Sequence, residues 1–75
     1  MTPILSDRAA HWLTTVFSAK AAMRGHTVRR SIRDIDAMIQ RDVFLQEVRR
    51  RGFSAVQNGD QIIVFCNNEP IKRLV

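Results

Sequence analysis

Seven arginines and one glutamine carry most of the chemistry this sequence offers. Arg41, Arg49, Arg50 and Arg51 bracket one helical pattern with Gln46 inside it, and Arg29, Arg30 and Arg33 gather at the start of another. A guanidinium is planar, permanently charged and presents a fork of donors, which suits phosphate oxygens and the edge of guanine. With the later helix in a major groove, Gln46 and Arg50 would read base edges and Arg41 would touch phosphate or guanine. Arg29, Arg30, Arg33, Arg49 and Arg51 would neutralise nearby phosphates. Asp42 and Glu47 on the same helix oppose this, because phosphate repels carboxylates. The plainer alternative is a solvated basic face laced by pairs such as Glu47–Arg51.

Other chemistries find little support. His11 and His26 have no cysteine or carboxylate at metal-ligand spacing, and Cys66 is the single cysteine, so neither a metal nor a disulfide is expected. No nucleophile–base–orienter set, phosphate-cradling glycine loop or paired-carboxylate site is present, so no cofactor and no enzymatic activity are expected. Cys66, beside Val64 and Phe65, reads as a small buried apolar residue.

The elements that must position these residues follow from caps and periodicity. Residues 1–5 read as a frayed start, with Pro3 excluding helix just before it. Ser6 caps a first long helix with Asp7 in its first turn. Ala9, Trp12, Leu13, Val16, Phe17 and Met23 line its apolar side, and Gly25 is its stop. Thr27-Val28 is a short β-prone piece. Ser31 caps a second helix, with Asp34 completing a capping-box-like pair and Ile32, Ile35, Met38 and Ile39 as its stripe. Arg30–Asp34 and Arg33–Asp36 are expected pairs along it.

After Gln40-Arg41-Asp42, Asp42 is placed to cap a third helix. Phe44, Leu45 and Val48 form its buried side, Val43, Gln46, Glu47 and Arg50 the other, and Gly52 its end. The turn between these helices has no glycine. Phe53–Gln57 and Asp60–Cys66 read as a hairpin about an Asn58-Gly59 type I′ turn, so that Gln57 faces Asp60 and Ala55 faces Ile62. Phe53, Ala55, Ile62, Val64 and Cys66 then share a face toward the helices. Ser54, Val56, Gln61, Ile63 and Phe65 share the other, which is apolar enough to need cover from the tail Ile71–Val75 or a second subunit. The hairpin tip, Gln57-Asn58-Gly59-Asp60, carries no positive charge. A structural or dimer-contact role therefore suits it better than minor-groove probing.

These elements make one α+β domain over residues 1–75, with a core at 6–66 and a tail or edge strand at 67–75. At 75 residues the chain buries a modest core, so tight helix packing, dimerisation or a partner must supply the rest. Twelve Lys and Arg against seven Asp and Glu give +5, a balance that favours DNA, RNA or an acidic protein surface. The excess of arginine over lysine also fits the codon bias of a GC-rich genome. With neither signal peptide nor long apolar run, the expected location is cytoplasmic, with no membrane association.

The Ser31-capped Ile32/Ile35/Met38/Ile39 helix, the Phe44/Leu45/Val48 helix, Arg51-Gly52-Phe53 and the Asn58-Gly59 hairpin, in that order, resemble the winged helix-turn-helix superfamily. The resemblance covers residues 6–66 and rests on element order. It implies three helices with a C-terminal β-hairpin and a short strand between the first two helices. It also implies a small transcriptional regulator, repressor or excisionase-like accessory protein that binds double-stranded DNA as a dimer or cooperative assembly. The alternative is a protein-binding regulator, an antiactivator or inhibitor. It would meet an acidic partner through the basic surface and a contact made by Trp12, Val56, Ile63 and Phe65.

Overall fold

A computed structural model describes residues 5–75, so the expectation for Pro3 falls outside the described residues. Helix α1 (Asp7–Ser18) begins as its sequence dictates, with the Ser6 hydroxyl accepting from the Ala9 N–H at 3.1 Å and Asp7 in the first turn. It does not run on to Gly25. Ala19 is extended (φ −59°, ψ 148°), and a separate turn, α2 (Lys20–Met23), follows. The break resets the helical phase. A continuous helix would set Met23 on the face of Val16, whereas the observed one buries Ala22 and leaves Met23 76% exposed. Gly25, at φ 76°, closes α2. The His26 N–H reaches the Ala21 carbonyl and the Gly25 N–H that of Ala22, the paired bonds of a Schellman stop.

Strand β1 (Thr27–Ser31) runs directly into α3 (Ile32–Met38). Ser31 is both the last strand residue and the cap, its hydroxyl accepting from the Asp34 N–H at 3.0 Å. Only Ile39 and Gln40 separate α3 from α4 (Arg41–Arg50), the third helix of the sequence reading. Asp42 is not its cap. Gln40 holds that position without a side-chain bond, and Asp42 lies in the first turn, where its charge still favours the helix dipole.

The face of α4 is rotated from the expected one. Val43 is buried with Phe44 and Val48, while Leu45 is 39% exposed. Val43 and Leu45 flank the buried Phe44 row on opposite sides. The short turn after Ile39 directs the Val43 side toward Leu5 and Ala9, and leaves Leu45 facing outward. Helix α4 ends in a second Schellman stop, with Gly52 at φ 78° and the Phe53 N–H on the Val48 carbonyl.

Strands β2 (Ser54–Asn58) and β3 (Gln61–Phe65) form the hairpin, and β1 pairs antiparallel with β3, giving the order β1-β3-β2. The turn residues are Gly59-Asp60 rather than Asn58-Gly59. Gly59 has φ 60° and Asp60 a negative φ, the pattern of a type II′ turn. Asn58 therefore pairs with Gln61, and Ala55 with Val64 instead of Ile62. Sliding the turn by one residue moves each partner by two, so side-chain parity is preserved. Val28, Ile62, Val64 and Cys66 are accordingly buried beneath the helices, with Ala55 and Phe53 partly so.

The opposite face carries Val56, Ile63 and Phe65, with Arg29 beside Ile63. No strand forms after Phe65, so the tail is not an edge strand, and Leu74 and Val75 at its end are fully exposed. The pairs expected along α3 do not form. Asp36 instead takes Arg41 across the turn.

The result is an α+β fold of four helical segments on one face of a three-stranded antiparallel sheet, laid out like a winged helix. The second short helical segment, α2, is the addition to the expected three. No helix among the described residues is long and apolar enough to cross a membrane. Phe44, Ile35, Val16 and Val64 are fully buried. The Phe44 ring lies 5.7 Å from Trp12 and 6.1 Å from Phe17, and Phe17 lies 6.0 Å from Phe53, linking α1, α4 and the hairpin. Truncating such a ring costs about 3–5 kcal/mol. A domain of this length has a total stability on the order of 4–11 kcal/mol. Phe44→Ala should therefore leave the chain largely unfolded or strongly shifted to lower denaturant midpoint, as read by circular dichroism in urea.

Candidate nucleic-acid interface

The outward side of α4 is built by its buried side. With Val43, Phe44 and Val48 inward, Arg41, Asp42, Leu45, Gln46, Arg49 and Arg50 must face solvent, and all are exposed. Gln46 and Arg49 make no hydrogen bond or ion pair to another side chain among the described residues. They are presented on a helix whose own position the aromatic core fixes.

The other arginines of the helix are engaged. Arg50 and Arg51 both donate to Glu47, Arg51 through Nε at 3.1 Å. The Arg50 hydrogen bonds hold the Glu47 carboxyl below its ordinary range, against the opposing effect of partial burial. Arg51 also lays its guanidinium 4.4 Å from the centre of the Phe17 ring. It is therefore half of a clasp between the end of α4 and α1, and its charge is turned toward the protein. Arg41 forks onto Asp36 at 2.7 and 3.3 Å, which lowers the Asp36 pKa chiefly through that hydrogen bond. The pair ties α4 back to α3, and both side chains stay half exposed.

The arginines before α3 do not form one patch. Successive strand residues point to opposite faces, so Arg29 lies on the outer sheet face and Arg30 on the helix side. Arg30 Nη1 donates to the Arg29 carbonyl at 2.7 Å. Arg33 stands exposed in the first turn of α3. Thus Gln46, Arg49 and Arg50 share one helix flank, Arg33 and Arg41 belong to the helix pair beside it, Arg51 is folded inward, and Arg29 faces away.

The expected partner contact divides in the same manner. Val56 and Ile63 are cross-strand neighbours on the outer face, with Phe65 next to them along β3. Trp12 is half-buried against Phe44 on the helix side and does not join them. His11 and His26 are separate and exposed, whereas Cys66 is buried, which pushes its thiol pKa up. Sequence reasoning missed the exposed Leu45, which lies with Ala55, Val56 and Ile62 in a groove between α4 and β2. Periodicity allows the Phe44 row to extend to either neighbour, and only the angle of the Ile39-Gln40 turn selects Val43.

Comparison with protein-family models, with curated proteins and with solved structures finds no match for this chain.

Glu47 restrains two of the arginines, which fixes the sign of a test. A carboxyl whose folded pKa is depressed stabilises the protein above its unfolded pKa. That contribution is lost as pH falls from the unfolded value near 4.5 through the folded one. Glu47→Gln should therefore lower urea stability modestly at pH 7, and the gap to wild type should narrow as pH falls from 5 to about 3. The same substitution releases Arg50 and Arg51 and should delay elution from heparin to higher salt.

Proposed function

We propose that this chain is a DNA-binding regulatory module, a transcriptional regulator or excisionase-like accessory protein that sets α4 in the major groove of duplex DNA. The carrying observation is the exposed α4 flank, where Gln46, Arg49 and Arg50 stand together on a rigidly seated helix. A net charge of +5 supplies the general attraction to phosphate. Gln46 would contact adenine and Arg49 or Arg50 guanine or phosphate. Arg33 and Arg41, on the helices around the turn, would touch the backbone. Arg29 and Arg51 take no part in this arrangement. The module would work in the cytoplasm, where such DNA is met.

The hairpin supports the helix from behind. Its tip carries no cation, and it is tied down rather than projecting, because the Asp60 carbonyl accepts from the Ile32 N–H at 2.7 Å. The Gln57 amide in turn donates to the Gly59 carbonyl at 3.0 Å. This wing buttresses the start of α3 and does not reach for a second groove.

A second reading, a protein-binding antiactivator or inhibitor, draws on the outer sheet face. There Ile63 stands between Arg29 on one side and Val56 on the other, an arrangement suited to an acidic partner with an apolar centre.

Fluorescence anisotropy with mixed-sequence duplexes separates the two. Binding should be present at about 50 mM salt and fall steeply toward about 200 mM. Arg49→Ala and Arg33→Ala should each lower the salt slope by about one. Gln46→Ala should relax the preference at one base pair by about 1–3 kcal/mol. Absence of binding to any duplex at the lowest salt would remove the DNA reading and leave the protein-binding one.

A further inference from the structure

The outward pole of α4 carries a carboxylate as well as a cation. At about 100° per residue, Asp42, Gln46 and Arg49 fall within about 60° of one another, on the side of the helix opposite the buried Val43, Phe44 and Val48. All three are exposed, and the Asp42 carboxylate takes no hydrogen bond or ion pair from a side chain among the described residues. The neighbouring carboxylates are both occupied, Asp36 by Arg41 and Glu47 by Arg50 and Arg51. Arg41 and Arg50 stand to either side of the stripe.

A helix seated in a major groove puts its outermost stripe deepest, against base edges, and its flanking cations against the phosphates of the groove walls. Arg41 and Arg50 are placed for the walls. Asp42 is placed for the floor, between Arg41 and Arg50 and away from the phosphates they meet. An ionised carboxylate only accepts, so it requires a donor there. Cytosine is the one base whose own major-groove edge shows a donor, its N4 amine, and no acceptor. Adenine sets its N7 acceptor beside its amine, and guanine and thymine show acceptors that repel a carboxylate.

On the premise that α4 binds duplex DNA, we infer that Asp42 is a specificity-determining residue that accepts a hydrogen bond from the N4 amine of a cytosine. Asp42 precedes Gln46 by four residues, about 6 Å along the helix axis, which is about two base-pair steps of roughly 3.4 Å. The cytosine therefore lies about two base pairs from the adenine that Gln46 contacts. Where that cytosine is missing, the same carboxylate has no donor and repels the surrounding phosphates. Asp42 thus lowers affinity for DNA in general while keeping it at one site, which raises the ratio between the two.

Selection of the full chain against a randomised duplex library, followed by anisotropy at about 50 mM salt, tests this. Circular dichroism confirms that each variant is folded. Wild type should select a cytosine about two base pairs from the position that Gln46→Ala relaxes. It should bind that duplex about fivefold to a hundredfold more tightly than one with T·A in place of that C·G pair. Asp42→Ala should bind the two duplexes alike, and should bind unselected duplexes more tightly than wild type does. Asp42→Asn, which sets a donor beside its acceptor, should move the preference at that position to adenine. A cytosine preference that persists in Asp42→Ala, or a wild-type motif with no cytosine at that spacing, would overturn the role of Asp42 and leave α4 a DNA-binding helix. If neither wild type nor Asp42→Ala bound any duplex, the DNA reading itself would fall, and this inference with it.

Discussion

The ring of Phe44 is the constraint on which the rest depends. It is fully buried, it meets Trp12 and Phe17 of α1, and through Phe17 it is coupled to Phe53 at the start of the hairpin. One side chain thus fixes both the height and the rotation of α4. Once Phe44 points inward, the helical repeat leaves no choice about Gln46, Arg49 and Arg50. The same rotation lets Arg51 lie on Phe17, and it brings Gly52 to the point where the backbone turns left-handed into β2. An aromatic cluster is well suited to this role in a domain of 75 residues, where few side chains are available to bury and each must cover much area.

Charge is distributed by the same geometry. The sequence places seven arginines around two helices, but two carboxylates decide how they are used. Asp36 takes Arg41, and Glu47 takes Arg50 and Arg51. These contacts are structural in effect, since one closes the turn between α3 and α4 and the other seals the last turn of α4 against α1. Exposed pairs of this kind contribute little individually and are screened by salt. Arg41 and Arg50 can therefore exchange a carboxylate for a phosphate at small cost, whereas Arg51, held by the Phe17 ring as well, cannot do so without losing packing. A count of arginines in the sequence overstates the charge available at the surface, because it does not distinguish these cases.

What could be read from the sequence was what local chemistry decides. Ser6 and Ser31 cap their helices because a hydroxyl one residue before the helix can reach the N–H three residues on. Gly25 and Gly52 end helices because the Schellman stop needs positive φ. The faces of β2 and β3 were legible despite a misplaced turn, because a one-residue shift of a hairpin turn preserves parity. What depended on distant contacts was not legible. The extended Ala19, the inward Val43 and outward Leu45, and the choice of Arg41 rather than Arg33 for Asp36 all follow from how α1, α3 and α4 meet. At the candidate site the helix was foreseen with Gln46 and Arg50 on its outer side, but Val43 and Glu47 were expected beside them and Arg49 was not. The separation of Arg29 from Arg30 was also implicit in strand alternation, but it was hidden by reading the two as one basic cluster.

The apolar surface that remains outside has a physical origin in the size of the domain. Four helical segments cover one face of a three-stranded sheet, and among the described residues no element covers the other face or the β2 edge. Here Val56, Ile63 and Phe65 stay partly open, and β2 is kept to five residues with polar Gln57 and Asn58 toward the turn, which limits how far a stray strand can pair. The five-residue length and the polar end of this edge are what keep it open to water without a covering element.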